Sequence, residues 1–227
     1  MAHITYYGHS CFLVETGGKK LLFDPFITPN ELAKDVDMKS IEADYLLISH
    51  GHEDHIADAV ALAGQTGAKV ICNWEVSVWL GGKGLKNIHP MNTGGKLNTK
   101  FGLVKCVTAH HSSGLPDGSY GGNPMGFIVK SGSDTFYYAG DTALTLDMQL
   151  IPEWFTLDFA FLPVGDNFTM DVDDAIKASD FIQCSDIIGM HYDTFEFIRI
   201  DHKEVNDKFE REGKKLALMK IGETLTK

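Results

Sequence analysis

The sequence predicts a layered α/β fold. Three observations carry that prediction. Apolar strand-like runs alternate with helical patterns in the stretch from residue 45 to 80, and such strand-helix-strand order implies helices packed on a sheet. Short strand patterns separated by glycine-rich turns fill the rest of the chain. Several of the apolar runs end abruptly in histidine or aspartate, as expected where a sheet presents side chains at one edge.

In order, residues 2–7, 10–16 and 20–24 read as strands, with Gly17 and Gly18 turning the second into the third. Asp24-Pro25 ends the third strand, because proline cannot continue a ladder. Residues 26–43 read as loop with a short helix. A buried strand, Tyr45 to Ser49, leads into helix 56–65. Lys69–Cys72 is the next strand, and Trp74–Leu80 a short helix stopped by Gly81 and Gly82. Residues 86–108 read as two or three strands, and 112–124 as a turn-rich loop. Strands follow at 125–131 and 134–139, a helix at 144–155 and a strand at 158–163. Helix 171–183, strand 186–190, helix 202–213 and strand 215–221 complete the chain.

The 227 residues and 44% hydrophobic content suffice for one compact domain spanning 1–227. Met1-Ala2-His3-Ile4 leads straight into a strand pattern and no apolar run approaches about 18 residues, so a soluble, cytoplasmic protein is expected. Cys11, Cys72, Cys106 and Cys184 have no paired spacing and read as reduced thiols. The formal charge of −11 disfavours extended nucleic acid, whose phosphates it would repel. The expected partner is a small molecule, with no nucleic acid and no membrane; a homo-oligomer is left open.

The chemistry concentrates in His50-Gly51-His52-Glu53-Asp54-His55, which reads as a metal site. Imidazole and carboxylate suit zinc and its first-row neighbours. His50 and His52 lie two apart and point the same way in extended chain, whereas Asp54 and His55 follow the turn into a helix. Two ligand pairs facing two neighbouring points suggest two metals. Further strand ends offer Ala109-His110-His111, Gly140-Asp141 and His191. His50, His52, Asp54, His55, His110, Asp141 and His191 thus form the candidate ligand set, and seven ligands match two metals with a shared carboxylate and a bridging water.

This arrangement resembles the metallo-β-lactamase superfamily, and within it the uncharacterised metal-dependent hydrolases similar to L-ascorbate-6-phosphate lactonase. The supporting stretches are Gly8-His9-Ser10-Cys11-Phe12, the His50–His55 motif, Thr108 to Ser112, Gly140-Asp141-Thr142 and His191 to Phe195. The resemblance implies a four-layer αββα sandwich. It also implies one metal on His50, His52 and His110, and a second on Asp54, His55 and His191, with Asp141 bridging. Asp141 stands where many β-lactamases carry cysteine, which disfavours a β-lactam substrate. The chain is also too short to hold the extra domain of the superfamily's processing nucleases.

The expected activity is hydrolysis of a small-molecule ester, lactone or phosphodiester by a metal-bridging hydroxide that Asp54 orients. Two divalent ions, zinc first, then manganese, iron or nickel, fit the donors. The alternatives are a phosphodiesterase on the same fold and a non-catalytic metal-dependent sensor. His111 is a candidate proton donor to the leaving group, equally readable as a packed imidazole. His9 is a candidate for substrate contact or for support of a ligand. Asp24 could orient a ligand histidine or shape a turn. Asn123, Asp166 and Asn167 are candidate substrate contacts, although ordinary turns use the same residues. His3, His89 and His202 lack evident partners.

Overall fold

The computed structural model describes residues 1–227. Two mixed seven-stranded sheets stack face to face. The first half of the chain supplies β1 (His3–Gly8), β2 (Cys11–Thr16), β3 (Lys19–Phe23), β4 (Tyr45–Leu47), β5 (Lys69–Asn73) and β6 (Ile88–Met91). The second supplies β7 (Lys96–Asn98), β8 (Leu103–Thr108), β9 (Met125–Ser131), β10 (Asp134–Tyr138), β11 (Phe159–Pro163), β12 (Asp186–Met190) and β13 (Lys215–Ala217). A last strand, β14 (Thr224–Thr226), returns to the first sheet and pairs antiparallel with β1. The orders are β14-β1-β2-β3-β4-β5-β6 and β13-β12-β11-β10-β9-β8-β7.

Strand alternation builds the layers. In β2, Phe12 and Val14 join the core that contains Phe127, Phe136 and Phe161 of the other sheet. Their neighbours Cys11 and Leu13 face the opposite way and pack with Leu62, Val76 and Leu80. Those residues belong to the helices that cover the first sheet, α2 (Ala59–Thr66) and α3 (Trp74–Gly82). The outer face of the second sheet is covered by α4 (Val172–Phe181) and α5 (His202–Arg211), through Ala175, Ala178, Val205 and Phe209. The result is the αββα sandwich.

Four expectations about elements change. The helix expected over 56–65 begins earlier, as a short turn α1 (Glu53–Ile56) that places His55 at its end. The region 144–155 is no α-helix but a 3-10 turn over Leu146–Leu150, closed before Pro152. The strand expected over 215–221 is only Lys215–Ala217, and β14 follows it unforeseen. Asp171 caps α4 from outside, its carboxylate accepting from the Asp174 amide at 2.7 Å. No helix is long and apolar enough to cross a membrane.

Candidate metal centre

Strands β4, β8, β10 and β12 end at one edge of the sandwich, and the residues that follow them converge. One group is His50, His52 and His111; another is His9, Asp54, His55 and His191. Asp141 lies between them. Its Oδ2 is 3.0 Å from His191 Nε2, 3.2 Å from His55 Nε2, 3.6 Å from His111 Nε2 and 4.0 Å from His50 Nε2. Asp54 Oδ2 in turn is 3.8 Å from both His55 Nε2 and His191 Nε2.

His110 does not join this cluster. Its side chain is exposed, while its backbone is pinned by an N–H donated to Thr142 Oγ1 at 2.9 Å. The half-buried His111 takes the place expected for it, with its ring 5.2 Å from that of His50 and 5.1 Å from that of His52. Successive side chains of extended backbone point to opposite sides, so only one of two adjacent histidines can face the centre. In this structure His111 faces the centre and the His110 implied by the resemblance does not, which makes His111 a candidate ligand rather than a proton donor.

His9 is also placed differently from a substrate contact. Its imidazole is buried, with Nε2 3.0 Å from Asp54 Oδ2 and Nδ1 3.0 Å from Thr194 Oγ1. A neutral His9 donates its Nε2–H to Asp54 and accepts from the Thr194 hydroxyl, which aims the carboxylate. Asp24 performs the analogous service for His55. Its fully buried carboxylate accepts from His55 Nδ1 at 2.8 Å, Tyr138 Oη at 2.9 Å, Ser49 Oγ at 2.6 Å and the Ser49 amide at 2.7 Å. With Nδ1 committed to Asp24, Nε2 is the nitrogen that His55 turns to the centre.

Three non-glycine residues of the site adopt left-handed backbone: His9 at φ 57°, Asp24 at φ 38° and His191 at φ 58°. Each such residue costs on the order of 1–3 kcal/mol, and the surrounding bonds must hold it. Gly165 is required behind His191, because a Cβ there would lie 2.0 Å from the His191 carbonyl oxygen.

The electrostatics sort the side chains. Burial works to raise Asp141, but His191 and His55 hold it well below the usual carboxylate range, and Asp54 is likewise lowered by His55, His191 and His9. Burial lowers His50, His52 and His111 and keeps these imidazoles neutral. Burial also opposes charge on His55, yet Asp141, Asp54 and Asp24 outweigh it and raise that group well above its ordinary value.

The residues fit divalent cations. His55 Nε2 and Asp141 Oδ1 are buried without a hydrogen-bond partner, a costly condition that a ligand at the centre would relieve. The donors are imidazole nitrogens and carboxylate oxygens with no cysteine among them, a set suited to zinc and other first-row metals. The solvent side is formed by the half-buried His52, Asp54 and His111.

Of the other candidates, Asn123 accepts from Tyr120 Oη at 2.9 Å, and its carbonyl accepts from Asn73, so it braces its own loop. Asp166 and Asn167 sit in left-handed turn conformations. His202 does have a partner, Asp193, at 2.6 Å, and His3 Nδ1 meets Thr226 Oγ1 at 3.0 Å. Residues the sequence did not single out are Ser49, Tyr138 and Thr194. Ser49, a polar residue closing an apolar strand directly before His50, carried the clearest signal.

Residues 3–191 match the β-lactamase superfamily domain. A UPF0173 metal-dependent hydrolase of Christiangramia forsetii is 52% identical over 223 residues, covering 98% of each chain. The UPF0173 metal-dependent hydrolase YtkL of Bacillus subtilis is 41% identical over 227 residues, again covering 98% of each. Among solved structures, Igni18, a metallo hydrolase of the archaeon Ignicoccus hospitalis, superposes with a TM-score of 0.89 at 36% identity, covering 99% of this chain and 97% of that one. Fold and site therefore define a metal-dependent hydrolase of the metallo-β-lactamase superfamily. The chain belongs to its UPF0173 family.

Proposed function

We propose that the protein hydrolyses a small-molecule ester, lactone or phosphodiester at a dinuclear centre. One metal would be held by His50, His52 and His111, the second by Asp54, His55 and His191, with Asp141 shared. The observation that carries this reading is Asp141, one of whose carboxylate oxygens lies within 4.0 Å of four imidazole Nε2 atoms while the other has no partner.

Divalent cations there would acidify a water and polarise the bond under attack. The chain's own residues do the rest. Asp54, aimed by His9, presents a carboxylate at the solvent side of the centre, where it can orient the attacking water. The water oxygen forms the new bond to carbon or phosphorus, the ester bond breaks, and the water's proton ends on the leaving oxygen. Asp24 and Asp141 keep the imidazoles directed inward. Zinc is the favoured metal for so imidazole-rich a set, with manganese, iron and nickel as candidates.

The −11 charge supports a small molecule over nucleic acid as substrate. The four free, buried cysteines suit a reducing cytoplasm. The test is metal stoichiometry on freshly purified and reconstituted protein, combined with turnover of a lactone panel and of bis(p-nitrophenyl) phosphate. Two equivalents with lactone turnover are expected. Phosphodiester turnover alone would make the protein a phosphodiesterase, and two metals without turnover would favour a sensor. Less than one equivalent after reconstitution would overturn the dinuclear centre.

A further inference from the structure

The metal centre opens beside a wall of phenylalanines. Phe195 packs edge-on to His9 at 5.4 Å between ring centroids, and the buried Phe26 backs both, 5.5 Å from His9 and 6.2 Å from Phe195. His9 is the residue that holds Asp54, so the wall begins directly behind a proposed ligand. Phe197, two residues beyond Phe195 in the segment that follows His191, stands 6.4 Å from Phe168. Phe168 comes from the loop after β11, which is tied to the site by the Met170 amide donating to the carbonyl of Thr142, next to Asp141.

Three of these four rings are not core. Phe168 is 50% and Phe197 71% exposed, and Phe195 is 39% exposed. Exposed aromatics grouped at the rim of a site mark a surface that an apolar ligand covers. Charge points the same way. Segments 24–30, 49–58, 109–124, 140–147, 163–171 and 191–198, which surround the centre, hold none of the 20 lysines and arginines. Beside the phenylalanines stand Asp166, Asp193 and Glu196, and Arg199 is the first cation beyond them, exposed. Apart from bound metal, these loops offer no fixed cation to a phosphate or a carboxylate tail on the substrate.

The geometry points to a neutral substrate whose alkyl or aryl group lies on Phe168, Phe195 and Phe197 while its ester or lactone bond reaches the metals. This deepens the dinuclear hydrolase reading and rests on it. It excludes sugar phosphates as the natural class.

The test is calorimetric binding of hydroxamates, which chelate metal without turning over, to the zinc-loaded protein. Octanohydroxamate is expected to bind about tenfold or more tighter than acetohydroxamate, from methylenes placed on the rings. The double variant Phe168→Ala/Phe197→Ala, altered only at exposed positions, should lose that gain and keep the affinity for acetohydroxamate. An octanohydroxamate analogue ending in a carboxylate should bind more weakly than the neutral one. Equal affinity for short and long chains, an unchanged gain in the double variant, or tighter binding of the carboxylated analogue would overturn the inference while leaving the metal centre standing. Failure of acetohydroxamate itself to bind would overturn the metal centre, and the inference with it.

Discussion

The Asp24 carboxylate meets His55 Nδ1 at 2.8 Å, in a place where neither side chain is exposed. Four donors reach that one carboxylate, which makes it the anchor of the inner site. Asp24→Asn keeps the shape but replaces one acceptor oxygen with a donor. Metal affinity should fall about 10- to 100-fold, as for other outer-shell partners of ligand histidines. Competition against a chromophoric chelator measures it, and unchanged affinity would reduce Asp24 to a turn residue.

The two adjacent histidines separate cleanly. His111→Ala should lower bound metal below two equivalents, whereas His110→Ala, altered at an exposed position, should keep both. Metal analysis of the dialysed variants decides. The reverse result would restore His110 to the ligand set.

Asp141 is the hub of four imidazoles, so its loss should damage both halves of the centre. Asp141→Ala is expected to retain one equivalent of metal or less. Retention of two would remove Asp141 from the shell.

His9 predicts a pH dependence in the metal-free protein. Burial, with the neighbouring His191 next in weight, pushes its imidazole down from 6.5 to about 4. The native state therefore prefers neutral His9, while the unfolded chain takes up a proton below its ordinary value. This contribution to stability is present above pH 6.5 and is lost as the pH falls toward 4. Between pH 7 and pH 5 the loss is about 2 kcal/mol. Urea unfolding of chelator-treated wild type and His9→Gln at both pH values tests it: the variant should lose less by about that amount. Equal losses would place the acid sensitivity elsewhere.

Much of the sandwich was legible because its strands are short apolar runs bounded by turn residues. The strand expected over 186–190 is β12, Asp186–Met190, residue for residue. The β14 strand gave no such signal: three residues pair with β1 from the opposite end of the chain, and only that contact makes them a strand. The helix expected over 144–155 failed because Leu146 and Leu150 are exposed, leaving no buried face for a full helix. In the site, the motif at 50–55 identified itself by density of ligand types. The choice between His110 and His111 turned on the parity of the backbone after β8, which no spacing reveals. Asp24 was readable as a turn former or an orienting group, and it is both, because Ser49, His55 and Tyr138 reach it from distant parts of the chain.

Each ligand group draws on both sheets. His50, His52, Asp54 and His55 follow β4 of the first, whereas His111, Asp141 and His191 follow strands of the second. Cations held among them would act as a cross-link between the halves of the sandwich. Occupancy would then add about 4 kcal/mol to the folded state at a thousandfold excess over the dissociation constant. Metal supply would thus govern how long the protein survives as well as whether it works, and a starved cell would lose it first to proteases.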